Sequence, residues 1–375
     1  MLKGVHLTLM IGPAVPVPAP KVVVESLTGA QVNSSRDNSG FQLTFSLSKN
    51  SPLLTTMLPA GYFDPITTRV IIIVTVGGIP NVIMDGIVTR QELSPNNEPG
   101  QTTLTVTGED LSVLMDIVEM PFMRFPAMPD VARVALILSK YLIFGIVPIT
   151  IPPIFIDVPI PVEEVPSQQG TDLAYIRQLA SQNGYVFYVE PGPAPGSSIA
   201  YFGPDIRIPI PQPALNVNMD AHTNVESLSF SLDGLAKKIT VMTIFDPATK
   251  KIPIPVPVPN ISVLRPPLGA RITPPAKVEF YEYGSKLSIT KALSHALGIS
   301  FAASDAISAS GSLDVLRYGH VLRSRMLVGV RGAGEAYDGL YYVNNVTHNI
   351  KLGEYKQNFN LSRDGLISLT PKVPT

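Results

Sequence analysis

DGLYYVNNVTHNIKLGEYKQNFNLSRDG, residues 338–365, is the stretch whose reading decides the fold. Its second half alternates: Tyr355, Gln357, Phe359 and Leu361 fall on one side, Lys356, Asn358, Asn360 and Ser362 on the other. That period of two marks a half-buried strand, because successive side chains of an extended chain point to opposite faces. The first half, Leu340 to Ile350, is rich in Tyr, Val, Asn and Thr, and Gly353 separates the halves. The stretch predicts a β-hairpin with arms of about ten residues, long against the five or six of a typical strand. A hairpin this long, with a polar second face, needs a reason beyond closing a core.

The alternation continues outward. From 21 to 107 the expected elements are strands, beginning with KVVVESL (21–27) and GFQLTFSLS (40–48), in which Phe41, Leu43, Phe45 and Leu47 oppose Gln42, Thr44, Ser46 and Ser48. RVIIIVTVGGIPNVIMDGIVTRQEL (69–93) reads as two strands about a GGIPN turn, and QTTLTVTG (101–108) alternates again. Evenly spaced strands suggest a small barrel or sandwich. EDLSVLMDIVEM (109–120) is expected as a helix across one end.

The middle third changes character. PDVARVALILSKY (129–141) predicts a helix. TDLAYIRQLASQNG (171–184) predicts another, with Thr171 as N-cap, Asp172 in the positive first turn and Gly184 as the stop. A strand, YVFYVE (185–190), follows. Around these lie 148–166, 206–213 and 251–260, which hold many of the 37 prolines. Alternating Ile-Pro or Val-Pro keeps the chain extended and limits pairing in a sheet, so these segments are expected as ordered straps. The last third returns to strands at 224–232, 239–247 and 277–284, with a helix expected over 287–308.

The totals bound the function. At 375 residues the chain is too long for one ordinary core, so two or three domains are expected. Hydrophobic residues make up 45% and charged residues 15%, with net charge −1. No basic footprint for nucleic acid exists, and the low charge points to surface covered by other subunits. Without cysteine, disulfides, thiolate zinc sites and cysteine nucleophiles are excluded. No transmembrane helix is expected: 70–84 is short and broken by GGIPN, and prolines interrupt 141–156. The N-terminus resembles a cleaved signal only weakly, because a proline ladder stands where small residues belong.

Candidate chemistry is sparse. His6, His222, His295, His320 and His348 are scattered, with no metal-ligand spacing, and His348 on the hairpin is expected at a surface or interface. GVRGAGEAYDG (329–339) lacks the lysine and helix of a phosphate loop and reads as a connection between strands. GPAPGSS (192–198) resembles a nucleophile elbow in composition only. Glu163 and Glu164 are adjacent on an extended strap, so they point apart rather than flank a glycosidic bond. Sequons at Asn345 and Asn360 carry no weight without a signal peptide. No catalytic, cofactor or metal residues are assigned, and no enzyme activity is expected.

Three stretches carry a family resemblance. MDGIVTRQELSPNNEPGQTTLTVTGEDLSVLMD (84–116) resembles the first tube-like domain of baseplate hub proteins from contractile injection systems. GTDLAYIRQLASQNGYVFYVEPGP (170–193) resembles the helix-then-strand element of the phage late control protein D group and of the hub half of type VI secretion spike proteins. The opening hairpin resembles the one that closes the second tube-like domain. They cover about a quarter of the chain and fall in the family's order, closest in flavour to extracellular phage-tail-like systems.

The resemblance implies a mainly β fold. It sets an N-terminal arm (1–20), a first tube-like β-barrel (21–126), an α/β insertion with proline straps (127–214) and a second tube-like β-barrel (215–375). It implies a homotrimeric hub whose six barrels adapt a six-fold inner tube to a three-fold spike. Its partners are the inner tube protein, other baseplate components and a spike tip supplied as a separate protein, since no needle repeats follow Gly365. Such a hub is assembled in the bacterial cytoplasm as part of a phage-tail-like particle. The rival reading is an extracellular β-rich binding module of carbohydrate-binding or adhesin type, which the absence of Trp disfavours; a metal-free hydrolase comes third. A faint echo between 85–110 and 338–364 suggests two copies of one barrel.

Overall fold

The computed structural model describes residues 4–13, 15–36, 38–96, 102–153, 156, 158–162, 165–207, 211–245, 253–258, 265–282, 296 and 305–369. With 48% strand and 16% helix, the chain is mainly β, as its alternation predicts.

The N-terminal part contains β1 (Val5–Pro13), β2 (Val17–Pro18), a short helix α1 (Lys21–Ser26), β3 (Leu27–Ser35), β4 (Ser39–Leu47), β5 (Thr68–Val76), β6 (Ile79–Ser94) and β7 (Thr102–Asp110). β4 shows why these are strands: Phe41, Leu43, Phe45 and Leu47 are buried and the residues between them face outward. β5 and β6 turn on Gly77 and Gly78, whose φ values of 57° and 86° put both in the left-handed region a two-residue hairpin turn demands. The expected strand over 21–27 is a correction: Lys21–Ser26 is helical after Pro20, burying only Val23, and the strand begins at Leu27. The expected helix over 109–120 is also corrected. Only Leu111–Met115 forms a 3-10 turn, capped by the Asp110 carboxylate accepting from Ser112 N at 2.9 Å.

The insertion holds α2 (Asp130–Ser139), β8 (Ile146–Thr150), α3 (Asp172–Gln182), β9 (Val186–Pro191) and β10 (Ser198–Gly203). Both helices lie where the sequence predicts them, and Thr171 Oγ1 accepts from Ala174 N as N-cap. Their apolar stripes pack with the β8–β10–β9 sheet in one cluster, which Ile87, Leu111 and Met115 extend onto the N-terminal part.

The C-terminal part holds β11 (Gln212–Asn216), β12 (Ser227–Leu232), β13 (Lys238–Phe245), β14 (Pro253–Val258), β15 (Gly269–Ile272) and β16 (Lys277–Glu282). It ends with β17 (Ile307–Asp314), a one-turn helix at Val315–Tyr318, β18 (Leu327–Arg331), β19 (Gly339–Lys351), β20 (Glu354–Arg363) and β21 (Gly365–Ser368). Pro253, Pro255 and Pro257 do pair, in edge strand β14 against β13. Their spacing of two puts every missing N–H on the same side, which is how proline enters a sheet edge. Of the helix expected over 287–308, only Ala296 and 305–308 are described; Ala296 is helical, whereas Ile307 and Ser308 belong to β17.

The strands assemble mainly into one thirteen-stranded sheet, whose main path runs β12-β17-β20-β19-β3-β4-β7-β6-β5-β1-β2. It contains a repeat. β3, β4, β5, β6, β7 occur in that chain order and pair as β3-β4-β7-β6-β5; β12, β17, β18, β19, β20 pair as β12-β17-β20-β19-β18. Even an irregularity recurs: β6 has an extra residue, Thr89, opposite β7, and β19 has Asn344 opposite β20. Aligning the two bulges places 85–110 and 338–364 on equivalent strands. The expected barrels do not close within one chain, and the sheet remains open. Instead β19 pairs with β3 across seven residue pairs, from Asn345↔Ser35 to Lys351↔Gly29, and joins the two units edge to edge. One hydrophobic core runs under both.

Candidate functional site

The long hairpin's polar arm is one strip of a face that spans the joint. Directly opposed residues give rows across it: Ser312, Asn358, Thr347 and Asn33 in one, Lys356, Asn349, Gln31, Gln42 and Thr107 in the next. Ser, Thr, Asn and Gln dominate it, and several of its charges are paired. Lys356 Nζ lies 2.8 Å from Glu226 and 3.3 Å from Glu354, and Arg90 pairs with Glu92. Some of the uncharged groups bond to one another. Ser227 and Ser312 hydroxyls are 2.8 Å apart, Ser229 and Ser310 are 3.1 Å apart, and Asn345 Nδ2 donates to Asn33 Oδ1 at 3.0 Å across the joint. A face of hydroxyls and amides like this one wets readily.

Behind this face, three polar clusters fix the pieces. In the first, Asp85 accepts from Arg69 Nε and Nη2, both at 2.7 Å, and from Ser198 Oγ at 3.1 Å. Arg69 also donates to the Phe144 and Gly196 carbonyls, so this buried pair ties the insertion to the first unit. In the second, Gln357 grips Leu322 by both backbone groups, at 3.0 and 2.8 Å, while its amide and the Tyr355 hydroxyl meet His348 Nδ1. In the third, Asp305 accepts from Arg207 and from Ser362, and Asp205 meets Arg36, Arg265 and the Tyr342 hydroxyl. Burial works against ionising Asp305, but Arg207, Arg265 and Ser362 outweigh it and hold the carboxyl at about 2.

His348 is therefore a correction: it is a buried residue, not a surface one, and burial, with Arg323 nearby, lowers its pKa to about 3. His348 follows the bulge at Asn344 and shares the core-facing side of β19 with Val346 and Ile350. His6, His222 and His320 are exposed and distant in sequence from one another; His295, Glu163 and Glu164 lie outside the described residues. Among the described residues no three His, Asp or Glu side chains converge as metal ligands. No helix among them is long and apolar enough to cross a membrane. Three cavities of about 160, 260 and 240 Å³ fall below the roughly 300 Å³ at which small-molecule sites begin. The alternation pattern does not show these clusters, although Arg69 and Asp85 carry a signal: Arg69 stands at the start of an apolar buried run and Asp85 in the middle of one.

No protein-family model matches the chain, and no curated protein matches it in sequence. Solved structures do match its fold. A tail protein from Neisseria meningitidis MC58 superposes with a TM-score of 0.63 at 12% identity, covering 97% of this chain and 98% of that one. The 43 kDa tail protein of prophage MuSo2 from Shewanella oneidensis gives 0.64 at 13% identity, covering 96% and 99%. A chain of the Francisella PdpA–VgrG complex in its lidded form gives 0.61 at 9% identity, covering all of this chain and 55% of that one. At these identities the likeness concerns fold, and the fold is that of phage tail proteins.

Proposed function

We propose that the chain is the baseplate hub of a phage-tail-like contractile particle. The observation that carries this reading is the duplicated five-strand unit, joined within one chain into a sheet whose outer face is polar and rich in Ser, Thr, Asn and Gln. Three such chains contribute six units, a pseudo-six-fold ring that matches a six-fold inner tube on one side and a three-fold spike on the other. The polar face then lines the lumen, where hydroxyls and amides present a wetted surface to material passing through. The partners are the tube protein, a separate spike or tip protein and other baseplate components, and the particle is assembled in the bacterial cytoplasm. The role is mechanical, with no catalysis. The likeness to tail proteins and to a VgrG complex supports the particle class. Exposed apolar residues on the strap, Ile156, Val158, Ile160 and Val162, support burial against further subunits.

Native mass spectrometry of the purified protein tests this. Three times the 40.3 kDa chain mass is expected. A monomer at every concentration tried overturns the reading.

A further inference from the structure

The joint between the two units leaves its counterparts unused. β3 opens the first unit and β12 the second, yet among the described residues only β3 has a second neighbour: β12 pairs there with β17 alone. Likewise β19 uses its C-terminal half to bind β3, whereas the equivalent half of β6, Arg90–Ser94, pairs with β7 and has no strand on its other edge among the described residues. Burial records the difference. Along β19 Val346, His348 and Ile350 are buried in alternation, but every residue of Arg90–Ser94 is exposed. Open edges of this kind invite a further strand.

We propose that copies of this chain join through these two edges, with β12 of one copy pairing antiparallel to residues 90–94 of the next, in the register that β3 and β19 use within the chain. This rests on the ring reading above and supplies its interface. The register follows from the repeat. The shared bulge equates Thr89 with Asn344, and the β4–β7 and β17–β20 pairings equate Phe41 with Ala309, hence Val32 with Phe230. The seen pairs Asn345↔Ser35, Val346↔Ser34, Thr347↔Asn33, His348↔Val32 and Asn349↔Gln31 then become Arg90↔Asp233, Gln91↔Leu232, Glu92↔Ser231, Leu93↔Phe230 and Ser94↔Ser229 between copies.

The side chains suit that register. Leu93 and Leu232, exposed in the single chain, fall on the core-facing side beside Phe230. On the polar side Arg90 meets Asp233, and Glu92 and Ser94 meet serines, continuing the polar rows. A one-residue slip sets Leu93 opposite a serine of the polar side and breaks all of this. The interface is head-to-tail, and such interfaces close into rings when the rotation permits.

The chain lacks cysteine, so a disulfide reports the register cleanly. In a Glu92→Cys, Ser231→Cys double variant, directly opposed strand positions lie within the span a disulfide bridges. Mild oxidation is expected to give covalent dimer and trimer on a non-reducing gel and nothing larger. Each single variant is expected to give none. A trimer by native mass that does not cross-link overturns this joint and leaves the ring reading standing; a monomeric wild-type protein removes both. Should the cysteines disturb folding, charge exchange serves instead. Arg90→Glu is expected to shift the trimer toward monomer and Asp233→Lys in the same chain to restore it. Failure of that rescue in a folded double variant counts against the register.

Discussion

The two five-strand units have one topology but exchange polar and apolar residues at matching places. Where the first unit has Arg69 and Asp85, the second has Leu327 and Leu340, packed in a small cluster with Leu268 and Tyr342. Where the first has Leu93 opposite Leu104, the second has His348 opposite Gln357. In each case the polar group faces a piece that is not repeated. Arg69 and Asp85 hold the insertion, and Gln357 holds the backbone of the segment before β18. The duplicated scaffold has thus diverged where unique pieces dock, while the strand pairing beneath stayed the same.

The largest expected effect comes from breaking the first cluster. Arg69→Leu leaves Asp85 buried without its cation, and a loss of about 3–5 kcal/mol in denaturant unfolding is expected. Copying the second unit fully, with Arg69→Leu and Asp85→Leu together, recovers most of that; no recovery would mean the ion pair is not what separates the units here. Next, Gln357→Leu copies the first unit into the second. It strands both backbone groups of Leu322, and a loss of about 2–3 kcal/mol is expected from unfolding curves.

Acid gives a smaller, graded effect. The unfolded chain protonates His348 near 6.5, but the folded chain refuses the proton until about 3, so stability falls as pH drops through that window. The slope is at most about 1.4 kcal/mol per pH unit for one proton. His348→Leu is expected to flatten it, and an unchanged slope would show that His348 is protonated in the fold. Asp305 acts lower: its stabilisation is present above about 4 and is lost as pH falls toward its folded value of about 2. The smallest effect is at the hairpin tips. Gly353 has φ 86° with open space around its Cβ position, so Gly353→Ala costs backbone strain alone, about 1 kcal/mol by thermal melting.

Much of this was legible in local pattern. β4, β7 and β20 alternate so regularly that their inner and outer faces can be read residue by residue. The insertion helix α3 announces itself by Thr171 and Gly184. What stayed hidden is non-local. Nothing near Ala30 says that it will lie opposite Ile350, and a bulge such as Asn344 leaves no mark except a change of parity. α1 was hidden because three consecutive valines favour a strand until Pro20 and the start of β3 confine them to one turn and a half. The polar clusters were hidden because each is assembled from segments far apart in sequence.

End-on electron-microscopy averages of the purified assembly test the central claim most directly, that one chain supplies two equivalent units to a closed ring. The expected image has three-fold symmetry with six wall segments of similar radius around an open lumen. Six chains in the ring, or three chains whose two units lie at clearly different radii, would contradict it.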